Sequence, residues 1–176
     1  VFSIVKRIEF CAGHRLINYK GKCAHAHGHN YVAEVELQSA ETDSTGFVAD
    51  FGLVKDLVKS WIDENLDHAF LCAADDRVML EFLIAQGQKH YVTILNPTAE
   101  HIAEMIFGVA QSEGLPVVAV RVWETPTGMA EYRPTFADTK EEIAADSAQR
   151  LNVQPTQGQV DEAMRRWQAS EHGQNW

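Results

Sequence analysis

The chain is poor in cysteine, poor in basic residues and free of long apolar runs. Its three cysteines make an odd count, and no two stand in Cys-x-x-Cys spacing. That argues against a disulfide scaffold and against a thiolate-built structural zinc site, and it favours a reducing compartment, the cytoplasm. No apolar stretch approaches the roughly 18 residues of a spanning helix, so no membrane contact is expected. The N-terminal VFSIVKRIEF alternates and lacks the apolar core of a signal peptide. Lysine and arginine total 15 against 25 acidic residues, a formal net charge of −10. A general nucleic-acid binder carries the opposite sign. Neither an internal repeat nor a low-complexity tract occurs.

The most informative absence is local. From Phe10 to Ala33 there is no Asp or Glu, yet the window holds Arg15, Lys20, Lys22 and four of the eight histidines: His14, His25, His27 and His29. An acidic protein thus carries one cationic segment rich in metal-capable side chains. The rest is ordinary for one globular domain of 176 residues, 45% hydrophobic and 23% charged.

Periodicity predicts the elements. Residues 1–11 read as a strand with Phe2, Ile4 and Ile8 apolar. From His27 to Leu37 a second strand alternates, with Tyr31, Ala33, Val35 and Leu37 on one face. Asp50 reads as an N-cap for an amphipathic helix over 51–65 whose stripe is Phe51, Val54, Leu57, Val58, Trp61 and Ile62. After Asn96-Pro97, Thr98 is the expected N-cap of a second helix burying Ile102, Met105, Ile106 and Val109. Val117 to Trp123 is an apolar strand, and Met129 to Phe136 its partner. This order predicts an α+β sandwich, an antiparallel sheet backed by two helices. The insert from Cys72 to Leu95 reads as a short helix (Val78, Leu80, Leu83) and a short strand (Tyr91 to Leu95). The domain is expected to span residues 1–137. Residues 138–176 read as a tail that docks on the body or on a neighbouring subunit, with a short amphipathic helix marked by Val160, Ala163, Met164 and Trp167.

His27 and His29 stand at i and i+2, so on a strand both imidazoles project from one face. A hairpin return brings His14 beside them. Three neutral imidazoles with one open position make a catalytic zinc site. Two surface histidines are the bland alternative for an isolated His-x-His. His25 fits the same alternation but is expected in a loop, since three ligands suffice. Cys23 lies beside Lys22 near this metal position, where a thiol is biased toward thiolate and can act as base or nucleophile. Cys11 and Cys72, in apolar settings, are expected to be buried or inert. Asp67 can orient His68 as a proton shuttle, the alternative being a histidine at a helix C-terminus meeting the dipole. Glu124 ends an apolar strand, either as a solvated strand end or as a carboxylate for the paired N–H donors of a pterin or guanine edge. Thr98 can assist at that edge as well as cap its helix.

The segments FCAGHRL (10–16), CAHAHGHNY (23–31), TGFVADF (45–51), LDHAFL (66–71), NPTAEHIA (96–103) and WET (123–125) fall in one order. Together they resemble the 6-pyruvoyl-tetrahydropterin synthase / 6-carboxytetrahydropterin synthase family, over about residues 2–136. The resemblance implies the tunnelling fold, a four-stranded antiparallel sheet with two helices on one face. Sheets of several subunits join into a barrel, often as a homohexamer built from two trimers. It also implies zinc held by His14, His27 and His29, Cys23 as general base, and an Asp67–His68 relay reaching the site from a neighbouring subunit. Glu124, with Thr98, would anchor the pterin. The short Cys-x-x-x-His-x-His spacing resembles the bacterial 6-carboxytetrahydropterin synthases of queuosine (7-deazaguanine) biosynthesis. Those convert 7,8-dihydroneopterin triphosphate to 6-carboxy-5,6,7,8-tetrahydropterin with loss of acetaldehyde and triphosphate. The alternative is a 6-pyruvoyl-tetrahydropterin synthase, which eliminates only triphosphate. A zinc hydrolase and a non-catalytic pterin-binding barrel are further alternatives. Arg15, Lys20 and Lys22 are the cations available to a triphosphate. The sequence departs from the family pattern at His25, at Cys72, in the long insert and in the tail.

Overall fold

Two strands of thirteen residues form the spine of the molecule: β1 (Phe2–His14) and β2 (His27–Ser39), antiparallel along their whole length. Even-numbered residues of β1 and odd-numbered residues of β2 share one face. On it Ile8, Phe10, Ala12, Tyr31, Ala33, Val35 and Leu37 are buried. The computed structural model describes residues 1–134 and, beyond them, Gln154, Thr156, Gln157, Gly158, Asp161, Glu162 and Arg165. The apolar stripe expected in the tail, Val160 to Trp167, lies outside the described residues, as does the domain boundary at 137.

The helix expected over 51–65 spans that range with an internal change of register. It comprises α1 (Phe51–Val54), a π-helical segment (Lys55–Lys59) and α2 (Ser60–Asn65). Asp50 caps it by accepting from the Gly52 N–H. Val54, Val58, Ile62 and Leu66 are fully buried against the sheet. Phe51, expected in that stripe, is instead 49% exposed, with the Lys6 ammonium 5.8 Å from its ring centre. After it come β3 (Ala69–Ala73), α3 (Arg77–Ala85) and β4 (His90–Thr93). Then follow α4 (Ala99–Ser112), β5 (Val117–Thr125) and β6 (Gly128–Tyr132). α4 buries Ile102, Met105, Ile106 and Val109 as its periodicity requires. It ends before Gly114, whose φ of 76° suits a residue without a Cβ.

The sheet has six strands in the order β4-β3-β1-β2-β5-β6. Four of them, β1, β2, β5 and β6, are the expected antiparallel set. The expectation of a four-stranded, wholly antiparallel sheet is corrected by β3 and β4, which run parallel to β1. β3 begins just before the insert, which adds α3 and β4 to complete a strand–helix–strand unit, the connection that parallel neighbours require. The insert also makes α3 a third helix beside the expected two. β3 meets β1 only at Ala12–His14.

Candidate functional site

The end of the β1–β2 ladder assembles the site. His14, the last residue of β1, pairs directly with His27, the first of β2, and Ala12 pairs with His29. Side-chain alternation therefore places all three imidazoles on the helix-covered face. A Cβ on the intervening Gly28 would lie 2.9 Å from the Ala12 carbonyl oxygen, so glycine is what lets the strands close here. Ligand-capable nitrogens of His14, His27 and His29 all lie within 4.8 Å of one another.

The protonation pattern of this cluster fits a cation. His14 Nδ1 lies 2.7 Å from the Pro97 carbonyl, and His27 Nδ1 lies 2.7 Å from the His25 carbonyl. A carbonyl oxygen accepts only, so both Nδ1 atoms carry the proton and both Nε2 atoms present lone pairs. Those two Nε2 atoms stand 3.1 Å apart. Two ligands of a tetrahedral zinc with bonds of about 2.0–2.1 Å are separated by about 3.3 Å. His29 Nε2 is buried without a hydrogen-bond partner. Facing lone pairs and an orphaned buried nitrogen are costly unless a positive charge joins them. Burial also holds the His14 pKa below its usual value and its two histidine neighbours add to this, against the Pro97 carbonyl and Glu124, which act to raise it. A neutral imidazole is the form a metal takes.

Around the cluster stand the other expected groups. Glu124 lies at the irregularity in β5 between Trp123 and Thr125, with Oε1 3.9 Å from His14 Nε2. Cys23 is half-buried in a 3₁₀ turn (Lys22–Ala24), whose position is fixed by the Leu16 N–H donating to the Cys23 carbonyl at 2.8 Å. Its thiol is near enough to act electrostatically on the Tyr31 hydroxyl. His25 is exposed in the loop, as expected, and contributes its carbonyl to His27. Thr98 stands at the N-cap of α4, but its side chain makes no cap bond. Its hydroxyl instead faces His101 Nδ1 at 3.4 Å and lowers the Glu100 pKa by hydrogen bonding.

Asp67 and His68 form the expected pair, Oδ2 to Nδ1 at 2.9 Å. They are fastened to β1 at one residue. The Cys11 N–H donates to Asp67 Oδ1 at 2.8 Å, and the His68 N–H donates to the Cys11 carbonyl at 2.6 Å. Burial works to raise the Asp67 pKa, but the Cys11 N–H and His68 outweigh it and hold the carboxyl below its usual range. His68 adopts φ 56°, a left-handed conformation that costs a residue with a Cβ and is typical of functional turns. Its ring is 78% exposed. It opens on a cleft of about 850 Å³ lined by Cys11, Asn30, Phe70, Phe82 and Lys89 that also reaches His27 and His29.

Two expectations change, those for Cys11 and Arg15, while the one for Cys72 holds. Cys11 is exposed rather than inert in an apolar setting, because odd residues of β1 face the open side, and its thiol donates to Asn30 Oδ1 at 3.1 Å. Cys72 is buried, with its pKa pushed up to about 12 by burial. Arg15 is not free for an anionic substrate. Its guanidinium grips both oxygens of the buried Asp76 at 2.6 and 2.5 Å, whereas Lys20 and Lys22 are exposed. Sequence reasoning missed the role of Tyr31. Its fully buried hydroxyl lies 3.3 Å from His14 Nε2 and 3.4 Å from Glu124 Oε1. The signal was present: Tyr31 continues the alternation of His27 and His29.

A model of the 6-pyruvoyl tetrahydropterin synthase family matches residues 3–135. The 6-carboxy-5,6,7,8-tetrahydropterin synthase of Rickettsia conorii is 43% identical over 137 residues, covering 74% of this chain and 99% of that protein. The protein of the same name from Haemophilus influenzae is 33% identical over 141 residues, covering 76% of this chain and 99% of its own length. Among solved structures, an uncharacterized protein of Wolinella succinogenes superimposes with a TM-score of 0.65 at 26% identity, over 76% of this chain and 98% of that one. The 6-pyruvoyl tetrahydropterin synthase of Caenorhabditis elegans shares the fold, with a TM-score of 0.57 at 24% identity over 76% of this chain and 96% of that one.

Proposed function

The chain belongs to the 6-pyruvoyl tetrahydropterin synthase family, and from that membership we propose that it is a zinc-dependent 6-carboxy-5,6,7,8-tetrahydropterin synthase. Its substrate is 7,8-dihydroneopterin triphosphate, and acetaldehyde and triphosphate are its co-products. The names of the relatives support the carboxy product. The observation that carries the reading is the three-imidazole cluster, with His29 Nε2 buried and unpartnered and Glu124 alongside.

His14, His27 and His29 hold the metal, and the Pro97 and His25 carbonyls fix two of their tautomers. When bound, zinc supplies a Lewis acid that acidifies hydroxyl groups. Glu124 accepts from the N–H edge of the pterin and sets its orientation, with Thr98 assisting at that edge. Cys23, as thiolate, takes a proton from the substrate side chain. His68, held in one tautomer by Asp67, moves a second proton. Lys20 and Lys22 are the cations left to meet the triphosphate.

The enzyme works as an assembly, a homohexamer of two trimers, in the cytoplasm. Two features support self-association. β3 covers β1 only at Ala12–His14, so the edge from Phe2 to Phe10 is open, as is the outer edge of β6, among the described residues. Phe2, Val5 and Met129 are exposed apolar residues on these strands. Sheets of neighbouring subunits join along such edges. His68, tied by its N–H to the Cys11 carbonyl and exposed in its ring, then serves the site of an adjacent subunit.

The test is consumption of 7,8-dihydroneopterin triphosphate by the zinc-loaded protein and by Cys23→Ala. A general base contributes roughly 10²–10⁴-fold, so the variant should lose that much turnover while keeping its zinc. Undiminished turnover in Cys23→Ala would favour a zinc hydrolase and contradict this reading.

A further inference from the structure

β4 is the outermost strand of the sheet, and an outermost strand leaves alternate N–H and C=O groups without a ladder partner. The Phe70 N–H donates to the Lys89 carbonyl and the Ala74 N–H to the Thr93 carbonyl, so the odd residues of this segment face β3. Val92 therefore faces outward. Both of its backbone groups are nevertheless satisfied. Gln154 Oε1 accepts from the Val92 N–H at 3.0 Å, and Gln154 Nε2 donates to the Val92 carbonyl at 2.9 Å. A primary amide offers one acceptor and a donor in a plane, as a neighbouring peptide does.

Among the described residues the same device recurs at Asn96, beside the histidine cluster. Asn96 pairs its amide with both the N–H and the carbonyl of Ile17, each at 2.9 Å. There it seats the loop whose Pro97 carbonyl holds His14. Gln154 lies beyond residue 135, where the family match ends. It therefore belongs to a part of the chain that the family likeness does not explain.

From these contacts we infer that Gln154 docks on the outer edge of β4, its side-chain amide standing in for one rung of a neighbouring strand, and thereby steadies the Asp67–His68 turn. The link to the turn is short. Lys89 immediately precedes β4, and its ammonium donates to the Asp67 carbonyl at 2.7 Å and to the Asp63 carbonyl at 2.9 Å. Asp67 and His68 are in turn tied to Cys11 of β1. A pinned β4 keeps Lys89 in place, and Lys89 keeps the turn closed onto β1. The occupant assigned to this edge is the protein's own Gln154, which satisfies both outward groups of Val92.

Amide hydrogen exchange on the full-length, substrate-free protein tests this independently of the pterin reading. In Gln154→Ala the Val92 amide should exchange about tenfold faster, the effect of losing a two-bond contact at a local opening. The Cys11 and His68 amides should exchange a few-fold faster, with Val35 in the core as the unchanged reference. Unchanged Val92 exchange would overturn the docking. Faster exchange at Val92 with Cys11 and His68 unaltered would overturn the steadying of the turn. Protection of Val92 that ignores Gln154→Ala but falls on dilution would assign the edge to a second copy and overturn the inference.

Discussion

Tyr31 joins the two halves of the site, because its hydroxyl touches both a metal-capable histidine and the carboxylate assigned to the pterin. Burial, then Glu124, raises its pKa far above the phenol value, so it stays protonated and can donate to Glu124. Tyr31→Phe keeps the ring that stacks on Phe10 at 5.1 Å and removes only that donor. We expect kcat/KM to fall by about tenfold, the worth of one hydrogen bond to a charged group, with zinc content unchanged. Steady-state kinetics beside metal analysis reads this out. His27→Ala should do the reverse, with zinc falling well below one per chain. Full zinc occupancy in that variant would remove His27 from the ligand set. His14, His27 and His29 were legible in the sequence because strand alternation is a local rule. The engagement of Arg15 by Asp76 was not, since 61 positions separate the partners and no periodicity links them.

At the scale of elements, the long amphipathic segments declared themselves and the short ones did not. α4 shows eight buried residues in fourteen, the pattern of a helix with one broad face packed on the core. Ile106→Ala there should cost about 2–5 kcal/mol, measured by denaturant unfolding. β3 is five residues with little alternation, so its sequence reads equally as the end of the preceding helix. Nothing local announced that it would pair in parallel with β1. The open face of the sheet carries an ion network in which Arg121 and Arg133 both donate to the buried Glu36. Burial acts to raise the Glu36 pKa, but the bonds from Arg121, Gln38 and Arg133 outweigh it, and the folded value lies below the ordinary one. A depressed folded pKa gives stability that is complete above the unfolded value, about 4.3 for glutamate, and is lost as pH falls through the folded value. Unfolding midpoints should therefore drop below about pH 4, and less steeply in Glu36→Gln. Equal slopes in the two proteins would show that Glu36 contributes nothing to acid sensitivity.

At the scale of the whole molecule, the candidate groups fall into a histidine cluster, of which His14 is buried and His27 and His29 half-buried, and an Asp67–His68 pair whose ring is exposed. Glu124 and Tyr31 gather at His14, with Cys23 in electrostatic reach of Tyr31, while the His68 ring is exposed beside β1. If neighbouring subunits share the work, two inactive proteins can repair each other. Cys23→Ala and His68→Ala, mixed and allowed to exchange subunits, should regain a measurable fraction of wild-type turnover. Persistent inactivity after confirmed exchange would place both groups in one subunit's site. The central claim is the reaction itself, and its products decide it most directly. Zinc-loaded protein incubated with 7,8-dihydroneopterin triphosphate should yield 6-carboxy-5,6,7,8-tetrahydropterin, acetaldehyde and triphosphate by mass spectrometry. A 6-pyruvoyl product, or a substrate left unconsumed, would contradict it.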